Sequence, residues 1–216
     1  MSALTTYETE YFKNKPATEK NPFAFPGETP AVLRLVKNAS SVFHPHKQES
    51  NWKRVVQWNA YRENKGIKEN VVHFEHTRAG IVFPGATRVL FLSKHMEEFL
   101  KDETSSIHQS MMFDLQHQLC LEELFAVAVF DVEVVDPFWR SFYGRVINGK
   151  YVKETVHILD MVDIIKSLRD YLEKMTRDSS SMLSGDSPFD PGFLEQKKVE
   201  RVIESLPSEV TTRYKD

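Results

Sequence analysis

The chain has 216 residues and a formal net charge of −3, with 27% charged and 41% hydrophobic residues, proportions typical of soluble globular domains. A net charge this small excludes a field that would commit the whole chain to nucleic acid or to a membrane surface. Its one cysteine, Cys120, excludes an internal disulfide, and its longest apolar run falls far short of the roughly 20 residues that span a membrane. We therefore expect a soluble protein of the cytoplasm or nucleus, without a membrane partner.

Turn-forming residues divide the chain into four parts. Residues 1–28 contain three prolines and show no hydrophobic period, which predicts an extended N-terminal arm. A helical domain is predicted over 29–176. A polar loop over 177–192 follows it, because serine, glycine, aspartate and proline are frequent there. A C-terminal helix and tail are predicted over 193–216.

Two amphipathic helices are predicted at the start of the helical domain. The first begins with Thr29 as N-cap and Pro30 as its first residue, where the missing N–H of proline costs nothing. The second covers about residues 49–64 and stops at Gly66. The inner faces are predicted to be Val32, Leu35 and Val36 in the first helix, and Trp52, Val55, Val56 and Asn59 in the second.

The stretch after Gly66 carries weaker signals. Residues 71–74 are compatible with a short strand or a helical turn. Pro84-Gly85 marks a turn or the start of a helix through Phe91. Ser93 then serves as the N-cap of a helix that ends at Leu100.

The longest apolar run, Leu124 to Phe130, lies in a stretch that we interpret as a long central helix over about 107–135. Apolar residues recur at helical spacing in its first half. In its second half, polar and apolar residues alternate from Phe130 to Val134, which is the period of a half-buried strand, so a strand is the alternative there. Asp136-Pro137 ends the helix and starts a new one, because a residue before proline is pushed out of the helical region.

A second long helix is predicted over about 154–176, where apolar residues follow the helical period. Before it, Asn148-Gly149 favours a tight turn, and the flanking segments RVI and KYV can form a small hairpin. The two long helices are expected to pack against each other. The predicted fold is therefore mainly α, a single multi-helix domain around the central helix, with minor β structure.

Charge is unevenly distributed along the chain. Residues 31–68 contain eight basic and two acidic residues, a net charge of +6, whereas 97–136 contain one lysine and ten acids, a net charge of −9. A basic segment with interleaved tryptophan and tyrosine suits phosphate contacts and base stacking. The alternative is a solvated basic face whose tryptophans pack inward against the acidic helix. The candidate nucleic-acid contacts are Lys53, Arg54, Arg62, Lys65 and Lys68.

Asp131, Glu133 and Asp136 are the candidate catalytic residues of an alternative hypothesis. On a strand, the first two side chains would point the same way with Asp136 nearby, and acids at a strand end can hold Mg²⁺ in metal-dependent nucleases. On a helix, Asp131 and Glu133 are expected to diverge and to be solvated, which leaves no catalytic set.

Histidine and cysteine residues give weak metal signals, and no motif predicts a cofactor. Asp114, His117 and Cys120 stand three residues apart near one helix face and resemble a partial ligand set, although a structural zinc site usually has four ligands. The alternative is that Cys120 is a small buried hydrophobic residue. Two histidine pairs could also meet at a metal: His44 with His46, and His73 with His76.

A resemblance to a known family rests on three blocks: HTRAGIVFPGATRVLFLSKHMEEFL, ELFAVAVFDVEVVDPFWRSFY and HILDMVDIIKSLRDYL. They look similar to mobile-element-derived animal proteins related to hobo-Activator-Tam transposases, in which a helical insertion interrupts an RNase H-like catalytic core. The resemblance covers about residues 73–175 and departs from the family pattern at Pro137-Phe138-Trp139 and at Arg78-Ala79-Gly80. It implies a helical, non-catalytic portion that contacts DNA or another subunit, and it supports a helix through Val135.

These features predict a non-enzymatic interaction protein that binds a protein partner or nucleic acid. The alternative is a metal-dependent nuclease or transposase-like enzyme that uses the three acids. The two hypotheses make different structural demands. The enzyme needs the acids to converge at a strand end, whereas nucleic-acid binding needs the basic residues on one exposed face.

Overall fold

The computed structural model describes residues 2–16, 19–20, 29–44, 52–74, 79–143, 145–147, 150–152, 158–178, 188–189 and 196–205. This part of the chain is mainly helical, which confirms the predicted fold class. None of its helices is both long and apolar enough to cross a bilayer. The α-helices are α1 (Ser2–Phe12), α2 (Ala31–Phe43), α3 (Trp52–Lys65), α4 (Val82–Leu100), α5 (Ser106–Gln116), α6 (Gln118–Phe130), α7 (Asp136–Tyr143), α8 (Ile158–Arg177) and α9 (Gln196–Glu204).

The chain divides into two compact units, Met1–Val127 and Ala128–Asp216, and the boundary falls within α6. The first unit contains α1 to α5 and most of α6. The second contains the end of α6, then α7, a hairpin, α8 and α9. The helical domain predicted over 29–176 thus corresponds to parts of both units.

Helix α2 lies at the centre of the first unit, where it packs against α3, α4 and α5. The predicted inner residues Val32, Leu35 and Val36 are all buried. Pro30 takes the N-cap position, with φ −53° and ψ 147°, one residue later than predicted. The helix continues to Phe43 and ends at His44, which is extended because it precedes a proline.

The buried side of α3 differs from the predicted one. Val55 and Trp58 are buried, whereas Trp52 and Val56, which the periodicity places inside, are exposed. Trp58 fills the space beneath the helix, with its ring centroid 4.4 Å from that of Phe43. The prediction was wrong because the helical period allows the apolar stripe to be drawn through either tryptophan, and only packing decides which one is inside.

Glycine and proline residues mark the end of α3 and the start of α4. Gly66 follows the last residue of α3 and has a φ of 68°, which confirms the predicted stop. Pro84 lies in the first turn of α4, where a missing N–H is tolerated, so Pro84-Gly85 belongs to the helix start. Ser93 does not begin a helix as predicted, since its hydroxyl donates to the carbonyl of Leu90 at 2.9 Å within α4. Residues 71–74 form neither a strand nor a helical turn.

The predicted central helix is helical but interrupted. α5 ends at His117, whose backbone is extended with φ −85° and ψ 125°, and α6 begins at the next residue. The ring of His117 packs against those of Phe12 and Phe113, with centroid distances of 5.4 Å and 5.2 Å. Neither glycine nor proline marks this break, so the hydrophobic period gave no sign of it.

Residues Asp131–Val135 form a π-helical turn, and α7 follows without a break. In a regular α-helix Pro137 would lack an N–H donor and its ring would clash with the carbonyl four residues back. The helix instead widens just before this proline, where the N–H of Asp136 donates to the carbonyl of Asp131, five residues back. The predicted helix end at Asp136-Pro137 is therefore wrong, but the helical interpretation of this stretch is confirmed over the strand.

The second unit contains the predicted hairpin and the two C-terminal helices. Strand β1 (Arg145–Ile147) pairs antiparallel with β2 (Lys150–Val152), while the two turn residues lie outside the described part. The described part of helix α8 begins at Ile158, the predicted start near residue 154 lies outside the described residues, and α9 lies within the predicted C-terminal helix. The packing of the two long predicted helices against each other stays a prediction.

Residues 2–12 form helix α1 instead of the predicted extended arm. Two contacts within the first unit hold it. The carboxylate of Glu8 accepts a hydrogen bond from the N–H of Ala31, and the rings of Tyr11 and Phe12 lie against His117. These are tertiary contacts, which explains why the local sequence pattern did not predict the helix.

Gly85 allows α4 to approach α2 closely. A Cβ atom built on Gly85 would lie 2.6 Å from Cγ1 of Val36, a buried side chain. We expect Gly85→Ala to lower the free energy of unfolding by about 1 kcal/mol, since overpacking of roughly 1–3 kcal/mol outweighs the better helix propensity of alanine. Urea denaturation measures the change.

Two further variants isolate the steric cause of the Gly85 effect. Gly80→Ala is the matched control, because nothing lies within 4 Å of a Cβ atom there. In a Val36→Ala background the same Gly85→Ala change should become neutral or stabilising. An equal loss in both backgrounds would contradict the close-approach explanation.

Candidate interaction surface

The outer face of α3 exposes large apolar side chains next to a cation. Trp52 is 61% exposed and Val56, one turn later, is 47% exposed. Lys53 is also exposed and makes no ion pair with any residue that the structure describes. Residues four apart lie on one side of a helix, so Trp52 and Val56 form a continuous patch. We call Trp52, Lys53 and Val56 the outer α3 face.

Three of the five predicted nucleic-acid contacts are held by groups of the same unit. Arg54 forms an ion pair with Glu103, and Nζ of Lys65 lies 2.7 Å from Oε1 of Glu98. The guanidinium of Arg62 donates to the carbonyl of Glu69 and to Oδ1 of Asn59, and desolvation lowers the pKa of Arg62. The five cations are Lys53, Arg54, Arg62, Lys65 and Lys68, of which Lys53 and Lys68 are exposed without an ion pair in the described ranges.

The acids that hold these cations belong to α4 and the turn after it. Glu98 accepts a hydrogen bond from the hydroxyl of Tyr61 at 2.7 Å as well as from Lys65. Burial, with this hydrogen bond, raises the pKa of Tyr61 to about 12, so the phenol stays a donor at neutral pH. The charge pattern of the sequence indicates such pairs, because the acidic stretch that begins at Glu97 includes both Glu98 and Glu103. The basic stretch is therefore partly neutralised by the acidic one. The alternative interpretation, a solvated basic face with tryptophans packed inward, fits Trp58 but not Trp52, which is exposed.

A cavity of about 630 Å³ lies beside the outer α3 face, between α3 and the start of α5. It contains a serine, a histidine and a glutamate. Oγ of Ser105 is 2.7 Å from Nδ1 of His108, and Oε2 of Glu103 is 3.5 Å from the same nitrogen. A catalytic triad needs the serine and the carboxylate on opposite ring nitrogens. Ser105 is the N-cap residue of α5, so this contact belongs to the helix start.

The three candidate catalytic acids are helical, and Asp131 and Glu133 are buried, which corrects the expectation that these two are solvated on a helix. Nζ of Lys198, from α9, lies 3.3 Å from Oδ2 of Asp131 and 3.4 Å from Oδ2 of Asp136. Arg140 donates to the same oxygen of Asp136 at 3.0 Å. Glu133 is buried, and burial raises its pKa. Two of the acids thus converge on an ammonium group, a contact between residues 67 positions apart that no local pattern reveals.

The residues Asp114, His117 and Cys120 do not share a metal-ligand geometry. Asp114 is fully buried and accepts two hydrogen bonds from the guanidinium of Arg34, at 2.9 Å and 2.7 Å. Cys120 donates to Oδ1 of Asp114 at 3.7 Å, and burial raises the pKa of its thiol. His117 lies among aromatic rings. Within the described ranges, no three His, Cys, Asp or Glu side chains converge as metal ligands.

The other predicted metal ligands are only partly within the described chain. The rings of His44 and His73 do meet, but they stack face to face with centroids 4.8 Å apart. His46 and His76 lie outside the described residues.

Two carboxyl groups meet at the first turn of α2. Oε1 of Glu8 accepts from the N–H of Ala31, and Oε2 of Glu123 lies 3.4 Å from the backbone N of Val32. Burial, together with the charge of Glu8, raises the pKa of Glu123 to about 8. The protonated form of Glu123 is therefore favoured at neutral pH. The sequence did not predict this pair, because Glu8 lies in the part interpreted as an extended arm.

The chain matches no protein-family model, no curated protein and no solved structure. The resemblance to hobo-Activator-Tam transposases therefore stays a prediction.

The Glu8–Glu123 pair predicts a pH dependence of stability. From about pH 4.5 to about pH 8 the folded state holds a proton on Glu123 that the unfolded chain releases, so the free energy of unfolding falls as the pH rises through this window. We expect Glu123→Gln, which mimics the protonated acid, to flatten this fall. Urea denaturation at about pH 5 and about pH 8 measures it. Glu122→Gln, at the solvent-facing neighbour, is the matched control and should leave the slope unchanged; an equally steep slope in Glu123→Gln would refute the assignment.

The contact of Lys198 with Asp131 predicts a strong mutational coupling. Lys198→Met leaves the buried carboxylate of Asp131 without its ammonium partner, and we expect the free energy of unfolding to fall by about 3 kcal/mol. Asp131→Asn combined with Lys198→Met should recover much of this loss, because no unpaired charge remains. The thermal unfolding midpoints of the four proteins measure the coupling. Additive effects would show that the two side chains do not act as a pair.

Proposed function

We propose that this chain is a non-enzymatic interaction protein and that it binds a partner protein through the outer α3 face. The observation that carries the proposal is the exposure of Trp52 and Val56, one turn apart and beside Lys53. Tryptophan is enriched among the few residues that dominate binding energy at protein interfaces. The single cysteine, which is buried and free, is compatible with a reducing compartment, the cytoplasm or the nucleus.

A protein partner is favoured over nucleic acid because most of the candidate phosphate-binding cations are already paired within their own unit. Arg54 and Lys65 are paired with acids, and Arg62 donates to the backbone and amide oxygens of its own unit. Phosphate binding gains from several unpaired cations on one face, each of which displaces counterions. The outer α3 face offers Lys53 alone beside two apolar side chains. Such a surface suits an apolar groove with an acidic rim on the partner.

The position of Trp52 also supports recognition by a helix. α3 is anchored from below by Trp58, so its outer side chains stand on a fixed backbone. A helix that presents an aromatic residue and a branched aliphatic residue at i and i+4 is the arrangement by which amphipathic helices fill hydrophobic grooves. The ordering cost on binding is then limited to the side chains.

A crosslinking experiment tests this proposal. A photoreactive residue in place of Val56 is expected to couple a specific protein from a lysate, whereas one in place of Ile203, an exposed apolar residue on α9, serves as the matched control. The captured protein is then purified and its affinity measured. We expect Trp52→Ala to weaken binding by roughly thirtyfold, the size of an interface hot spot, and Ile203→Ala to leave it unchanged. Equal affinities for wild type and Trp52→Ala would refute the proposed surface.

A titration against short single- and double-stranded DNA and RNA, at low and high salt, tests the other assignments. We expect no binding that falls steeply with salt. Salt-dependent binding that is lost in Lys53→Glu and Lys68→Glu would replace the protein partner by nucleic acid. Mg²⁺-dependent cleavage in the same samples, lost in Asp136→Asn, would instead support the nuclease alternative.

A further inference from the structure

Helix α8 presents apolar side chains that its own unit covers only in part. Val162 and Ile165 are 46% and 51% exposed. Among the described side chains of this helix, Tyr171 alone is buried, which identifies the side that faces the interior of the unit. The remaining apolar residues are half-buried, so a stripe along α8 is open to solvent.

This stripe has the spacing of a coiled-coil seam. Its members follow one another at intervals of four, three, four and three residues, which is the alternation that keeps side chains facing a second helix. A β-branched residue and leucines fill the middle, where knobs-into-holes packing is tightest. We call these residues the α8 seam: Met161, Ile165, Leu168, Leu172 and Met175.

A shallow groove, lined by residues of α8 alone and widely open to solvent, runs along the middle of the α8 seam. Its volume is about 360 Å³, and its floor is formed by Ile165, Leu168 and Leu172. Arg169 and Glu173, one turn apart, stand on its rim. They form an exposed pair with each other, with Nε and Oε1 3.7 Å apart, and Arg169 also pairs with the exposed Asp170, at 3.0 Å to its Oδ1. Exposed pairs of this kind contribute little to stability. Both groups are therefore available to another partner.

The charges on the rim discriminate between possible occupants. If a second α8 lay parallel, the flank of one copy that carries Arg169 and Glu173 would meet the opposite flank of the other, so Arg169 would not meet Glu173 of the other copy. If it lay antiparallel about a two-fold axis, Arg169 of each copy would face Glu173 of the other. The surface is thus complementary to itself in the antiparallel orientation, as an isologous interface requires.

We propose that the α8 seam is a self-association surface on which a second copy of this chain docks antiparallel. The stripe spacing, the open groove and the alternating rim charges support the same occupant. The proposal is independent of the outer α3 face, which belongs to the other unit. One helix pair buries less area than a standard interface, so the dimer forms at high protein concentration and dissociates on dilution.

Sedimentation of the full-length chain over a wide concentration range tests the association. The wild type is expected to shift from monomer to dimer as concentration rises. Ile165→Glu places a carboxylate in the seam at a site that is already half exposed, so the fold should persist, and we expect at least about a tenfold fall in the association constant. Ile203→Glu makes the same change at an exposed apolar residue outside the seam and should associate normally. A wild type that stays monomeric throughout, or an unaffected Ile165→Glu, would overturn the proposal.

Two further variants test the orientation and separate this proposal from the proposed function. A short reagent that joins two thiols should couple Val162→Cys chains to Thr176→Cys chains faster than it couples either variant to itself, because an antiparallel pair places the start of one α8 beside the end of the other. Preferential coupling of like variants would overturn the antiparallel arrangement. Val56→Glu should leave association unchanged while it weakens partner binding, and Ile165→Glu should do the reverse, so failure of one proposal leaves the other assessable.

Discussion

Buried charge at the start of α2 is the constraint on which the first unit depends. Because α2 packs on several sides, its first-turn N–H groups and the guanidinium of Arg34 are removed from water and must find partners. Asp114 of α5 accepts two hydrogen bonds from Arg34, and the carbonyl of Thr29 accepts a third. Glu8 of α1 and Glu123 of α6 supply acceptors to the N–H groups. The first turn of α2 therefore fixes the positions of three other helices, and the pKa of Glu123 is raised because this carboxyl group is buried there beside that of Glu8.

Pairing of charges within the first unit also explains why its charged surface differs from the one that the distribution of basic residues along the sequence suggests. A strongly basic and a strongly acidic stretch of one chain attract each other when both lie in one unit. Glu98 and Glu103 take up cations on the side of α3 that turns toward α4. What remains for a partner is the opposite side of α3, where no acid of the described residues reaches Lys53. The proposed interaction surface is the part of α3 that these intramolecular pairs leave uncovered. A count of lysines and arginines along the sequence therefore overestimates the positive charge that a partner would meet.

Local pattern predicted those features of the fold that local forces determine. The sequence predicted the helical stripe in α2, the end of α3 at Gly66 and the hairpin around residues 148–149, because each depends on residues close in sequence. The helix α1, the break at His117 and the contact of Lys198 with Asp131 were not, since each is fixed by a side chain more than twenty residues away or by packing. The π-helical turn before Pro137 is an intermediate case. The proline predicted a disturbance of the helix, but either a helix end or a widened turn can accommodate it. Only tertiary packing decides between the two.

The two candidate surfaces belong to different units, and their combination has a consequence that neither has alone. A dimer that forms through the α8 seam carries two copies of the outer α3 face, one on each chain. If the partner is itself multivalent, the second contact becomes intramolecular and the overall affinity rises without any new contact. A surface anchored by one tryptophan and one valine is small for tight one-to-one binding. Self-association would therefore allow a small face on α3 to hold a partner with useful strength, and would make that strength depend on the concentration of the chain.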